Sequence, residues 1–154
     1  MDTSVTILIS VLSIILVPTI LIGIWYGISH ACGWHTLSKI YIGGNSYKDS
    51  ITQIVANSRV GIMNFGFLLL AGADQNGLHL AISFPLFKKI YPSLFIPWKD
   101  IEIKKGGNLF SGVYFGFKNI SYPEIFFHNK TAYRLFKEGN INMEISNKFT
   151  AVKK

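Results

Sequence analysis

Residues 5–28 carry no charged side chain, and this run constrains everything that follows it. At about 1.5 Å of rise per helical residue the stretch covers about 36 Å, enough to cross a hydrocarbon core of about 30 Å with some tilt. A permanent membrane helix is therefore the first expectation. Trp25, Tyr26 and Trp34 supply the aromatic belt expected at a membrane–water interface. Two other readings compete for the same segment. A cleaved secretory signal calls for basic residues at its start and a shorter apolar stretch, whereas this leader reads Met-Asp-Thr-Ser. A lipoprotein signal calls for a small apolar tetrapeptide before its cysteine, and Cys32 follows Ser29-His30-Ala31. Inside the span, Pro18 removes a backbone donor, and Gly23 and Gly27 have the small-xxx-small spacing that admits a neighbouring helix. These three are the candidate positions for transmembrane helix packing.

The flanking charges set the orientation. Only Asp2 precedes the span, whereas Lys39, Lys48 and Arg59 follow it. Positive flanks stay cytoplasmic, so the N-terminus is expected outside and the remainder inside. A single cysteine, Cys32, cannot form an internal disulfide, which agrees with a reducing compartment.

All fifteen Lys and Arg but only seven of the eight acids follow the anchor, giving that part a net charge of +8. Its length suits one domain with its own core. Trp34, Leu37 and Tyr41 recur at helical spacing, which predicts a short amphipathic helix that lies along the bilayer or starts the domain. The Gly- and Ser-containing stretch 43–50 is the linker candidate. Beyond it the period changes to two. Leu78, Leu80, Ile82 and Phe84 alternate with His79, Ala81 and Ser83, as in a half-buried strand. Met63, Phe65, Phe67 and Leu69 alternate before the turn sequence Asp74-Gln75-Asn76-Gly77, so the two runs predict a hairpin. Further alternation at Ile101 and Ile103, at Val113, Phe115 and Phe117, and at Ile125 and Phe127 predicts more strands, with a glycine turn at 106–108. A helix is expected over 130–138, with Ala132, Leu135 and Phe136 on one face and Gly139 after its end. A last run, 141–152, could return as a strand. The fold class is α+β, mostly β: one N-terminal transmembrane helix, then an antiparallel β-barrel or sandwich of six or seven strands with one short helix. The expected organisation is an anchor at 1–29, a juxtamembrane helix and linker at 30–50, and a β-rich domain at 51–154.

Two segments carry a resemblance. The first is Gly33-Trp34-x-x-Leu37 with Tyr41, just after the anchor. The second is Gly77-Leu78-His79-Leu80, leading through Pro85-Leu86-Phe87 and Pro92-x-Leu94-Phe95 into Ile96-Pro97-Trp98-Lys99-Asp100-Ile101. Together they resemble a group of small, uncharacterised bacterial single-pass membrane proteins with a β-rich domain. The second segment also resembles the strand–loop–strand core of bacterial pleckstrin-homology-like domains. That resemblance implies a pleckstrin-like barrel with Trp98 packed into it and a place in the bacterial inner (cell) membrane. It brings no active site. The chain departs from the group in carrying Lys88-Lys89 and a longer C-terminal region.

Among candidate sites, the loop 85–92 is the most informative. Two prolines bracket it, and Leu86, Phe87, Ile90 and Tyr91 surround Lys88 and Lys89. A loop both apolar and basic can lower its apolar side chains beneath anionic headgroups while its ammonium groups stay among the phosphates. Phe87, Lys88, Lys89, Ile90 and Tyr91 are therefore the candidate lipid or partner contacts, against the alternative that the apolar residues cover the domain's end and the lysines face water. Lys104 and Lys105 read as a solvated strand end. His30, Cys32 and His35 cluster at the membrane exit, but positions 30 and 32 point to opposite sides of a helix and no fourth ligand is evident, so no metal site and no cofactor are expected. His79 reads as a solvent or cross-strand partner, and His128 has no evident serine or carboxylate partner. The aromatic residues alternate inward, which disfavours nucleic-acid binding despite the charge. The expected function is a non-enzymatic, membrane-tethered binding or scaffolding module, with another membrane protein, anionic lipid headgroups or both as partners. The alternative is an accessory subunit of a larger membrane complex that packs through its helix. An enzyme built on His79, His128 and nearby acids is the reading from another class.

Overall fold

The computed structural model describes residues 3–43, 54–55, 58–105 and 112–140. The linker at 44–50, the glycine turn at 106–108 and the final run at 141–152 lie outside them.

The apolar run forms α1 (Thr3–Ala31), long and apolar enough to span a membrane. Two of its hydroxyls bond within the helix: Ser13 Oγ and Thr19 Oγ1 donate to the carbonyls of Ile9 and Ile15, each at 2.8 Å. Such back-bonding leaves neither hydroxyl without a partner on a largely apolar helix. From Ile7 to Ile24 every side chain is exposed. At the other end the chain reverses through Gly33, whose φ of 79° lies in the left-handed region. A Cβ there would stand 2.6 Å from Pro123 Cδ, so both the backbone angle and the close approach require glycine. The helix that follows, α2 (Trp34–Ile40), starts the domain: Trp34, Leu37 and Tyr41 enter its core.

Nine strands are described, all paired antiparallel in two sheets. One sheet has the order β1 (Ile54–Val55), β4 (Leu69–Ala73), β5 (Gly77–Ile82), β6 (Leu94–Pro97). The other has β3 (Met63–Gly66), β2 (Ser58–Val60), β9 (Ile120–His128), β8 (Gly112–Phe117), β7 (Ile101–Lys105). The chain is α+β and mostly sheet, and the sheets are not closed into a barrel. They share one core: Leu78, Leu80 and Ile82 of β5 belong to the same apolar cluster as Val113, Phe115, Ile125 and Phe127 of β8 and β9. The last helix, α3 (Asn129–Glu138), adds Ala132, Leu135 and Phe136 to it, with Phe136 stacked on Phe115 at 5.7 Å.

Four local expectations change. The run from Met63 to Leu69 is two strands in different sheets. Gly66, at φ 50°, turns the chain, its amide donating to Asn64 Oδ1 at 2.9 Å, and only Leu69–Ala73 makes the hairpin with β5. Second, β5 is buried on both faces rather than half-buried, because it is an inner strand whose His79 lies under the Phe95 ring at 4.7 Å. Third, Trp98 does not continue a strand into the core: β6 ends at Pro97, and Trp98 opens a single 3-10 turn (Trp98–Asp100), where it is half-buried. Fourth, the left-handed residue after α3 is Asn140, at φ 48°. Gly139 is right-handed and instead makes room for Trp98, since a Cβ on it would stand 2.7 Å from Cζ2.

Gly33→Ala and Gly66→Ala separate strain from crowding. Each places a side chain in the left-handed region, at a cost of about 1–2 kcal/mol. Only Gly33→Ala also meets the Pro123 ring, since nothing lies within 4 Å of a Cβ at Gly66. Unfolding of the full chain by denaturant in detergent should therefore show a larger loss for Gly33→Ala. Equal losses would mean that Pro123 yields without cost.

Candidate interaction surface at the helix–domain joint

The loop singled out by its composition folds back onto α1. Pro85 sets the first turn of a 3-10 helix (Pro85–Phe87), and the next turn closes with the Tyr91 amide donating to the Phe87 carbonyl at 2.7 Å. This puts the Phe87 ring 4.4 Å from Trp25 and Tyr91 edge-on to the same indole at 6.5 Å. Tyr91 Oη donates to the Trp25 carbonyl at 3.2 Å, and Ser29 Oγ donates to the Ile90 carbonyl at 3.4 Å. Two further bonds complete the seam: Trp34 Nε1 to the Pro92 carbonyl at 3.1 Å, and Tyr122 Oη to the Ala31 carbonyl at 2.7 Å. Burial pushes the Tyr91 hydroxyl up to about 12, with nearby Cys32 adding to the effect, so it remains a donor at neutral pH.

The expected contact residues divide in this geometry. Lys88 and Lys89 are exposed; Phe87 and Ile90 are half-buried against the core; Tyr91 is buried and makes its contacts with α1, Trp34 and Phe65. Of the interface aromatics, Trp25 is half-buried in the seam and Tyr26 is exposed. Trp34 differs from both in its burial. It is fully buried in the domain core, after the turn at Gly33. In α1, Gly23 and Gly27 leave open notches, with nothing within 4 Å of a Cβ built on either. Pro18 is exposed within α1.

The histidines sort differently from the cysteine. His30 and His35 lie with ring centroids 4.1 Å apart, and Tyr26 stands 4.8 Å from His30. Loss of hydration holds the His35 pKa below its usual value, helped by His30 and then Lys39. Cys32 is buried on the other side, its thiol pushed up by burial and its Sγ on the Ser29 carbonyl at 3.5 Å. Among the described residues no group of three or more His, Cys, Asp or Glu could hold a metal ion.

At the other end of the β4–β5 hairpin the sequence reading missed a polar lock. Asp74 Oδ1 accepts the amides of Asn76 and Gly77 at 2.8 and 2.9 Å, while Oδ2 accepts from His79 Nε2 at 3.0 Å. The Asp74 carbonyl accepts from Trp98 Nε1 at 2.7 Å. The Asp-x-Asn-Gly turn was the available signal; the inward His79 could not be read from alternation. Burial opposes ionisation of Asp74, but the His79 bond and the two amides outweigh it, and the carboxyl sits below its ordinary 3.8. A carboxylate with a lowered folded pKa contributes stability that is complete above the unfolded value and lost as pH falls through the folded one. Asp74→Asn should therefore lower stability at neutral pH and flatten its decline on acidification below about pH 4, read as the urea midpoint across a pH series. An unaltered decline would remove Asp74 from the acid response.

No family model, no curated protein and no solved structure matches the chain.

Proposed function

We propose that this chain is a single-pass membrane protein whose helix holds a basic β-domain against the cytoplasmic leaflet. There the domain acts as a non-enzymatic binding or scaffolding module for another membrane protein, anionic headgroups or both. The seating of the 85–91 loop directly on Trp25 of α1 carries this reading. It keeps the domain beside the helix exit, so Lys88 and Lys89 stay close to the plane in which a partner would lie. Confinement to a thin layer raises the effective concentration of any second contact, so a weak one becomes well populated. The net charge of +8 after the anchor and the Lys39 and Arg59 flank support the cytoplasmic side of a bacterial inner membrane. Two antiparallel sheets followed by a C-terminal helix support the pleckstrin-homology-like resemblance as part of the same proposal.

The test is extraction and topology of the full chain in bacterial cells. The protein should stay with the membrane in alkaline carbonate. A C-terminal tag should survive protease added to spheroplasts, while an N-terminal tag is lost. Release by carbonate, or digestion of the C-terminal tag, would overturn the proposal.

The open notches at Gly23 and Gly27 favour a second reading, in which α1 packs against a helix of a larger complex. Under that reading, a stoichiometric partner isolated in mild detergent is lost on Gly23→Leu. Retention of the partner in that variant excludes the notch as the contact.

A further inference from the structure

The loops beside the α1 exit carry large apolar side chains that nothing in the domain covers. Leu86 is 78% exposed, Phe67 80% and Phe84 45%. A backbone bond joins the two segments that carry Phe67 and Phe84: the Ser83 amide donates to the Leu68 carbonyl at 2.8 Å, one residue along the chain from each. Phe84 in turn stands 5.3 Å from Phe87, which lies on Trp25. The opposite end of the same β4–β5 hairpin is the wholly polar Asp74-Gln75-Asn76. Apolar residues thus crowd the hairpin end near the helix, and polar ones the end away from it.

We propose that Phe67, Phe84 and Leu86 form an apolar tip that enters the headgroup–acyl boundary of the leaflet crossed by α1, with Lys88 and Lys89 among anionic headgroups. The inference rests on the reading that α1 spans the bilayer, and it follows from depth. A hydrocarbon core of about 30 Å takes about 20 helical residues, so a core beginning near the start of α1 ends near Trp25. Trp25 is the residue against which Phe87 and Tyr91 are seated, so the 84–91 loop lies at the interface and cannot hang free in solution. At that depth exposed phenyl and isobutyl groups leave water, while two adjacent lysines reach phosphate. Through Phe84 and Phe87 the tip adjoins Trp25 of α1, and its charges complement an anionic leaflet. These features favour lipid over a protein occupant.

The test uses the full chain in nanodiscs of phosphatidylethanolamine and phosphatidylglycerol. An environment-sensitive fluorophore is placed on single cysteines at Ile14→Cys, Phe67→Cys, Gln75→Cys or Leu86→Cys. Cys32→Ser serves as background, since its hydroxyl can keep the bond to the Ser29 carbonyl. Acyl-chain nitroxide lipids should quench positions 14, 67 and 86 and leave 75 bright, with emission at 67 and 86 shifted to the blue. Quenching at 14 without quenching at 67 and 86 overturns the tip alone. No quenching at 14 overturns the spanning reading and the tip with it. Shielding of 67 and 86 from aqueous iodide without lipid quenching overturns lipid as the occupant and assigns the surface to protein.

Discussion

The aromatic and hydrogen-bonded seam between Trp25 and the 85–91 loop determines how the rest of the molecule can work. Without it α1 would be a leash and the sheets an independent body at its end. With it, the last two turns of α1 form one wall of the domain. Edge and offset aromatic contacts such as Trp25–Phe87, Trp34–Tyr91 and Phe65–Tyr91 contribute about 0.5–1.5 kcal/mol each beyond the area they bury. The four side-chain bonds across the seam add direction, because each fixes a donor to one carbonyl. Gly33 completes the arrangement by letting the chain double back under Pro123, which brings Trp34 into the core.

Away from α1, two other arrangements hold the sheets. The Asp74 carboxylate closes its hairpin, and its backbone carbonyl holds the Trp98 indole, which joins the hairpin and the turn after β6 to Gly139 at the end of α3. Across the second sheet Arg59 donates to Tyr114 Oη at 2.9 Å and lies 5.9 Å from both the Tyr114 and Phe126 rings. These residues pair across β2, β9 and β8, as Lys104 and Tyr114 do across β7 and β8. The exposed Lys104–Glu124 pair at 2.6 Å contributes little, because water screens both partners.

Much of the local structure was legible because it depends on short-range pattern. The charge-free run predicts α1, the face shared by Ala132, Leu135 and Phe136 predicts α3, and alternation predicts β5, β7, β8 and β9. The misreadings have long-range causes. Alternation runs unbroken from Met63 to Leu69, and only the conformation of Gly66 shows that the run changes sheets. His79 looks solvent-facing in a two-residue period, yet Phe95 from the next strand covers it and Asp74 satisfies it. The 85–92 loop was identifiable by composition, but no period or spacing tells that Tyr91 reaches the carbonyl of a residue 66 positions earlier. Phe67 was read as one more strand residue because a turn position and an inward position look alike in a hydrophobic run.

The packing of the last turns of α1 against the domain has a mechanical consequence. Successive residues of a helix are offset by about 100° around its axis, so in a bilayer the rotational setting of α1 would dictate which side of the β-domain faces a given neighbour. If a second helix were to settle in the groove formed by Gly23 and Gly27, it would index the sheets like a key turning a bolt. Recognition inside the lipid would then choose the compass bearing of the polar surface outside it.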